Sequence, residues 1–156
     1  MKRYILLLLV LIFGACSPSK KSIKILYFST DSNDQRIVKL QNAALKNGWN
    51  IIATNSKQYF HEDSLSQMDA VFLSFSSLNQ LSYQELPTLK RYLEAGRGGI
   101  VTIQDTALVQ TQWPWLQSWN QRKDDAEWLQ DRGWVARLRP DFNEGDLKHT
   151  ISQNLS

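Results

Sequence analysis

Two short apolar runs in the middle of the chain constrain its fold more than any other feature. Ala70–Phe75 reads AVFLSF and Gly99–Ile103 reads GIVTI, each with a single hydroxyl side chain among apolar residues. Strands of this composition are buried on both faces, which is typical of parallel sheets covered by helices on either side. The pattern therefore predicts an α/β domain with three layers, in which a mainly parallel sheet lies between helices.

Three further segments have the composition of strands. Ser22–Ser29 and Trp49–Thr54 are rich in β-branched and aromatic residues and are bounded by residues that favour turns. Gly133–Arg139 alternates apolar and polar residues and is a weaker candidate. The last residues, 151–156, carry no pattern from which we predict a helix or a strand that would close the sheet.

Two amphipathic helices are predicted between these strands. Asp34–Asn47 carries apolar residues at helical spacing. Ser82–Ala95 begins with Ser82 as the N-cap and Glu85 as its capping-box partner. A glycine in the C-cap position follows each helix, Gly48 and Gly96.

Ligands of such sheets bind beyond the carboxyl ends of the strands, where the strand order switches. Three polar segments follow strands and are expected at that edge: residues 29–31, 74–77 and 104–106. Within them Thr30, Ser76, Gln104 and Asp105 are the candidate ligand-binding residues. No His/Asp pattern lies close to the serines at 74, 76 and 77, so we expect solvated hydroxyls that line the cleft rather than nucleophiles.

The amino terminus has the organisation of a bacterial lipoprotein precursor. Two basic residues precede an apolar run over Tyr4–Phe13, which is too short to span a bilayer but suits a secretory signal. Gly14 and Ala15 then precede Cys16, the only cysteine of the chain. We expect residues 1–15 to be a cleaved signal peptide and Cys16 to carry the lipid, with residues 16–21 as a polar tether.

This interpretation limits the mature protein in several ways. With Cys16 acylated no thiol remains for a disulfide, so the hydrophobic core alone must stabilise residues 22–156 as one domain. The formal charge of +3 includes Lys2 and Arg3, so the mature chain is close to neutral and nucleic acid is not an expected partner. The expected location is the cell envelope, anchored by lipid, with Ser17 favouring the outer membrane and a periplasmic orientation.

The stretch Arg91–Trp115, RYLEAGRGGIVTIQDTALVQTQWPW, resembles the trehalose-utilisation (ThuA-like) family. That family has the motif R-Y-x-x-A-G-G-G followed by apolar residues, G-x-H-A-A and, further on, W-P-W. Met68–Leu73 is similar to another segment of the family, and residues 148–155 resemble its H-P-I-T-x-G-L segment. The resemblance covers roughly residues 22–156 and implies a class I glutamine amidotransferase-like α/β fold and a carbohydrate-related ligand.

The chain departs from this family at its reactive positions. The turn that carries a cysteine nucleophile in glutamine amidotransferases carries none here, so amidotransferase activity is excluded. ThuA-like proteins have a histidine at that turn, and this chain has Gln104, which can bind a ligand by hydrogen bonds but cannot transfer protons near neutral pH. We expect Gln104 to face the cleft and to contribute little to stability.

The remaining candidate residues each have a structural alternative. Asp105 and His149 are weak catalytic candidates, but Asp105 also suits a turn or a helix N-cap and His149 also suits a solvated surface. Trp113 and Trp115 could form an aromatic wall for a sugar ring or simply pack in the core. His61 is expected on the surface, and no spacing of histidines and carboxylates predicts a metal site. No cofactor is expected.

Three functions follow from these observations. The first is a membrane-anchored domain that binds a sugar or a sugar derivative, with weak or no catalysis. The second is a non-catalytic module in which the tryptophan-rich residues 113–134 dock a protein partner, and the third is a carbohydrate-active hydrolase or isomerase. Members of the family usually continue beyond the H-P-I-T-like segment, so we also expect a domain shortened at its carboxyl end, with an exposed sheet edge or apolar face that favours oligomers or a partner.

Overall fold

The computed structural model describes residues 22–31, 33–74, 77, 80–103 and 133–155. Its strands form a five-stranded, all-parallel sheet in the order β2-β1-β3-β4-β5. The strands are β1 (Lys24–Phe28), β2 (Asn50–Thr54), β3 (Ala70–Ser74), β4 (Gly99–Ile103) and β5 (Trp134–Leu138). The predicted α/β class and the parallel sheet are confirmed, including the weakly predicted last strand.

Helices cover both faces of this sheet. They are α1 (Gln35–Asn47), α2 (Glu62–Leu65), α3 (Glu85–Glu94) and α4 (Glu144–Leu155), with a 3-10 turn at Lys57–Tyr59. Alternate residues of each strand point to opposite faces. One core therefore lies between the sheet and α2 and α3, and includes Leu26, Val71, Ile100, Leu65 and Leu89. The other lies between the sheet and α1 and α4, and includes Tyr27, Phe72, Leu40, Leu147 and Ile151.

Both ends of α1 follow the expected capping chemistry. The Asp34 carboxylate accepts a hydrogen bond from the backbone N–H of Arg36 at 3.1 Å, which satisfies one of the free donors of the first turn. Gly48 closes the helix with φ of 71°, a conformation that costs glycine little because it has no Cβ. The helix is therefore bounded as its sequence predicts.

Helix α3 has Gln84 as its N-cap, two residues later than the predicted N-cap Ser82. The Glu85 carboxylate accepts hydrogen bonds from the backbone N–H of Ser82 at 2.7 Å and from its hydroxyl at 2.6 Å. The predicted pairing of these two residues is present, but it holds a turn ahead of the helix instead of its first residues. Pro87 then lies in the first turn, where its missing N–H costs nothing.

The carboxyl-terminal residues form a helix, which corrects the expectation that no element follows β5. Helix α4 buries Leu147 and Ile151 against α1 and the sheet. These residues are four apart, which places both on one face of a helix. The apolar face of the sheet beside α1 is therefore covered at the carboxyl end of the described chain.

Candidate functional site

Of the residues predicted to form the site, the structure describes Thr30 and His149. The other predicted residues lie outside the described ranges, so their roles stay predictions: Cys16, Ser76, Gln104, Asp105, Trp113 and Trp115. Thr30 is exposed and lies two residues after the carboxyl end of β1. This is the edge at which the sequence predicts a ligand.

His149 lies elsewhere. It is exposed on α4, and its carbonyl accepts a hydrogen bond from the Ser152 hydroxyl at 3.2 Å. Its neighbours Lys148 and Ile151 line a cavity together with Ile23, which precedes β1. This part of α4 therefore lies at the amino edge of the sheet, and the structure does not bring His149 and Thr30 together.

A buried polar network lies where β1 meets the start of α1. The Asp34 side chain, 2% exposed, accepts hydrogen bonds from the Tyr27 hydroxyl at 2.5 Å and the Ser29 hydroxyl at 3.1 Å. Arg36 closes the network, with Nε 2.5 Å and one Nη 2.8 Å from the two carboxylate oxygens. This bidentate pair is the strongest type of charge-assisted contact. From the sequence, Asp34 is predicted only as the start of a helix.

The serines at the ends of β1 and β3 join this network from the other side. The Ser74 hydroxyl lies between the hydroxyls of Ser29, at 3.3 Å, and Ser77, and the Ser77 oxygen is 2.8 Å from the Phe28 carbonyl oxygen, so these groups share their protons within one hydrogen-bonded chain. Ser74 and Ser77 are completely buried. The expectation that they are solvated hydroxyls lining the cleft is wrong, because both lie enclosed at the carboxyl ends of the neighbouring strands β1 and β3.

The ionisation states of this network are fixed. Burial of Asp34 favours its neutral form, but the hydrogen bonds from Arg36 and Tyr27 outweigh this effect and hold the pKa of the carboxyl below its ordinary value. Burial and the neighbouring carboxylate raise the pKa of the Tyr27 phenol far above its ordinary value. Near neutral pH Asp34 is an anion and Tyr27 is neutral, so neither is suited to exchange protons with a ligand.

An open pocket lies beside this network, between the loops that follow β1 and β2. Its volume is about 280 Å³, close to the lower end of the range for small-molecule sites, roughly 300–1,000 Å³. Hydroxyl, carboxylate and amide groups line it alongside two apolar side chains: Ser29, Asp31, Thr54, Asn55, Ile37 and Ala53. Asp31 and Asn55 are exposed, so their polar groups are accessible to a ligand.

Within the described ranges, no group of three or more His, Cys, Asp or Glu side chains is arranged to hold a metal ion. In the same part of the chain no helix combines the length and the apolar character needed to span a bilayer. His61, exposed at the start of α2, takes no part in a cluster there.

Comparison with known proteins gives the fold and little more. No family model matches the chain, and no curated protein matches it. A solved structure of a pilus assembly-related protein from Burkholderia pseudomallei is 18% identical with a TM-score of 0.51, over 85% of this chain and 88% of that one. At this identity the similarity shows a shared α/β fold only.

Two weaker similarities accompany it. A response regulator receiver protein from Burkholderia phymatum is 20% identical with a TM-score of 0.49, over 86% of this chain and 95% of that one. A ThuA-like protein from Bacteroides uniformis is 17% identical with a TM-score of 0.43, over 64% of this chain and 44% of that one. A ThuA-like protein is thus a structural neighbour at low identity and with partial coverage.

Proposed function

We propose that this protein is a lipid-anchored, ThuA-like domain that binds a sugar or a sugar derivative at the carboxyl edge of its sheet, with weak or no catalysis. The observation that carries the proposal is the open pocket beside Asp31 and Asn55. A carboxylate and an amide accept and donate hydrogen bonds to neighbouring hydroxyl groups, and Ile37 offers an apolar surface to the carbon face of a small ring. The resemblance at Arg91–Trp115 supports the ligand class.

Weak catalysis follows from the ionisable groups of this edge. Asp34 is paired with Arg36 and held in its ionised form, the Ser29 hydroxyl donates to this paired carboxylate, and the Ser77 hydroxyl donates to a backbone carbonyl. A nucleophilic serine needs a base within hydrogen-bond reach. The described residues of the network thus favour binding over bond cleavage, and Asp105 stays a candidate base outside them.

Membrane attachment is part of the proposal and rests on residues 13–16, the sequence FGAC. A diacylglycerol on Cys16 supplies two acyl chains, which is enough for stable anchoring. A docking role for residues 113–134 remains the alternative, and those residues lie almost entirely outside the described ranges.

The test is a titration of the full chain, extracted from membranes in mild detergent, with neutral hexoses and keto-sugars. We expect saturable heat or a change in tryptophan fluorescence at micromolar to millimolar concentration. Asn55→Ala should weaken binding by about two- to tenfold, the effect of one hydrogen bond. Asn33→Ala, the same change at an exposed residue of the loop after β1 that does not line the pocket, should leave it within about twofold. A protein silent to every sugar would refute the proposal.

A further inference from the structure

A second cavity lies at the amino edge of the sheet, away from the pocket at Asn55. It is bounded by the end of α1, the second half of α4 and the residues that lead into β1 and β2. Its volume is about 410 Å³, within the range for small-molecule sites, roughly 300–1,000 Å³. We call it the tether pocket, because Ser22 at its rim directly follows the tether of residues 16–21.

The lining of the tether pocket is amphipathic. Ile23, Trp49 and Ile151 supply its apolar side chains, and the first two are partly exposed there. Polar and charged side chains complete the lining: Ser22, Asn47, Lys148 and Ser152. Such a lining suits a ligand that has an apolar part next to a polar or anionic one.

The charge of Lys148 is available to a ligand. The residue is exposed, and within the described ranges its ammonium group makes no ion pair. The carboxylate one turn earlier on α4, that of Glu144, is paired with Lys46 at 2.5 Å. None of the described residues that line the tether pocket carries a carboxylate. The pocket therefore favours an anionic group.

The tether indicates where such a group comes from. Six steps along the chain join Cys16 to Ser22, a reach of about 20 Å, so an acylated Cys16 keeps a bilayer surface close to the pocket. Residues 17–24 contain three lysines and no carboxylate. Lysine clusters beside a membrane attract anionic lipids, and tryptophan is enriched at the level of the headgroups. The bilayer surface thus matches the pocket in position, charge and side-chain chemistry.

We propose that the tether pocket binds the headgroup of an anionic phospholipid in the bilayer that holds Cys16. Lys148 contacts the phosphate, Trp49 lies at the level of the glycerol, and the amide of Asn47 offers hydrogen bonds to the headgroup. The proposal rests on the lipid anchor of the proposed function and is independent of its sugar ligand. The domain is then held against the membrane by its own surface as well as by the acyl chains.

The test uses the mature, acylated chain in phosphatidylcholine vesicles that contain a little phosphatidylglycerol with a photoreactive diazirine beside its glycerol. After illumination, we expect mass spectrometry to find crosslinks in residues 47–49 and 148–152. The same diazirine on phosphatidylcholine should give about fivefold fewer crosslinks there, the effect of one lysine near an anionic lipid. Equal labelling by the two lipids, or labelling chiefly around Asn55, would overturn the proposal.

A matched pair of variants tests the role of Lys148. Lys148→Gln should reduce phosphatidylglycerol crosslinking in the tether pocket about fivefold. Lys57→Gln, the same change at an exposed lysine that follows β2 at the other edge, should leave it unchanged. Both changes are on exposed side chains, so both variants should keep the wild-type melting temperature. Undiminished crosslinking of Lys148→Gln would refute the assigned contact.

This proposal and the proposed sugar binding fail in different ways. Lys148→Gln should bind sugars as the wild-type chain does, because the pocket at Asn55 lies at the other edge of the sheet. An acylated chain without crosslinks in the tether pocket, as expected if the tether or a second copy fills it, refutes this site and leaves sugar binding intact. Crosslinking without sugar binding refutes only the sugar ligand. A wild-type chain without an acyl group counts against both the anchor and the tether pocket.

Discussion

Asp34 combines three tasks in one side chain. It caps α1, accepts the hydrogen bonds of Tyr27 and Ser29 from β1 and the residue after it, and pairs with the guanidinium of Arg36. Because the carboxylate is almost fully buried, every partner would lose its acceptor if the charge were removed. The junction of β1 and α1 therefore depends on this residue.

Asp34→Asn should lower the free energy of unfolding by about 3 kcal/mol, since breaking one side of a buried pair leaves the other side unsatisfied. The Arg36 side chain is 22% exposed and can turn partly to water. We therefore expect a loss of stability at the lower end of the range for broken buried ion pairs. Asp31→Asn makes the same charge change three residues earlier on an exposed side chain and should cost less than about 0.5 kcal/mol. Urea denaturation of both variants measures the difference, and equal losses would contradict the role of Asp34.

The same carboxylate gives stability a defined dependence on pH. The folded pKa of Asp34 lies below its ordinary value of 3.8 because of its hydrogen bonds. As the pH falls, the unfolded chain therefore takes up a proton at this carboxyl before the folded chain does. The stability that the ionised Asp34 contributes at higher pH is lost as the pH drops through its folded pKa. Glu85, whose pKa is lowered by Ser82 despite burial, acts in the same direction. Urea titrations between pH 7 and 3 should show a shallower decline for Asp34→Asn than for wild type.

Single residues differ in how far the sequence predicts them. The prediction of Gly48 and Gly96 as helix ends is confirmed by their positive φ, because helix termini depend on local chemistry. Ser74 and Ser77 were expected in solvent, and both are buried. Both are buried by contact with the end of β1, which is far away in the sequence. No local sequence pattern predicts such a long-range contact.

The turn between α3 and β4 is closely packed against its neighbours. A Cβ on Gly98 would collide with the Tyr92 hydroxyl and the Asp69 carbonyl, and one on Gly99 would collide with the indole ring of Trp134. Gly99 is the register partner of Trp134, which lies across it on β5. The glycine-rich part of the segment resembling ThuA-like proteins thus has a packing role in this chain.

Gly99→Ala should therefore lower the free energy of unfolding by about 2–3 kcal/mol, the usual cost of forcing extra volume into a packed site. The cause can be isolated by a double-mutant cycle with Trp134→Ala, which removes the ring that the new methyl group meets. In that background Gly99→Ala should cost less than about 1 kcal/mol. An undiminished cost would show that the strain arises elsewhere.

The strands β3 and β4 are predicted correctly. Both are buried on both faces, and such strands need a continuous run of apolar residues, which is visible in the sequence. The prediction failed for α4, in which Leu147 and Ile151 are the only buried side chains of a largely polar segment. Two apolar residues four apart give little helical periodicity in the sequence. The helix is stabilised by contact with α1, which the local sequence does not encode.

At the scale of the whole molecule, attachment at Cys16 is the prediction on which localisation depends. The thiol of Cys16 is the only group of its kind in the chain. Cys16→Ala should abolish incorporation of labelled palmitate and leave the precursor uncleaved by the lipoprotein peptidase, while Ser17→Ala, a change beside it that keeps the thiol, should leave both unaffected. Palmitate uptake by Cys16→Ala would disprove the anchor.

Because all strands of the sheet run in one direction, an anchor at Cys16 predicts which edge of the sheet faces the membrane. Five residues lie between Cys16 and Ser22, and the six steps along the chain reach about 20 Å at full extension. Ser22 lies at the amino edge of the sheet beside Trp49 and Ser152. Strands of five residues place the carboxyl edge about 16 Å further away. The amino edge should therefore face the bilayer, and the pocket at Asn55 should face the aqueous compartment.

Acylation of Cys16 leaves the mature chain without a free thiol, so a single introduced cysteine can report this orientation. We expect a spin label on Ser152→Cys, at the amino edge, to be relaxed more strongly by paramagnetic ions chelated to lipid headgroups than a label on Asn55→Cys. Both positions are exposed, so labelling should disturb the core in neither case. In detergent extracts without chelating lipid the two labels should respond alike. Stronger relaxation at Asn55 in vesicles would show that the pocket faces the membrane and would reverse the proposed orientation.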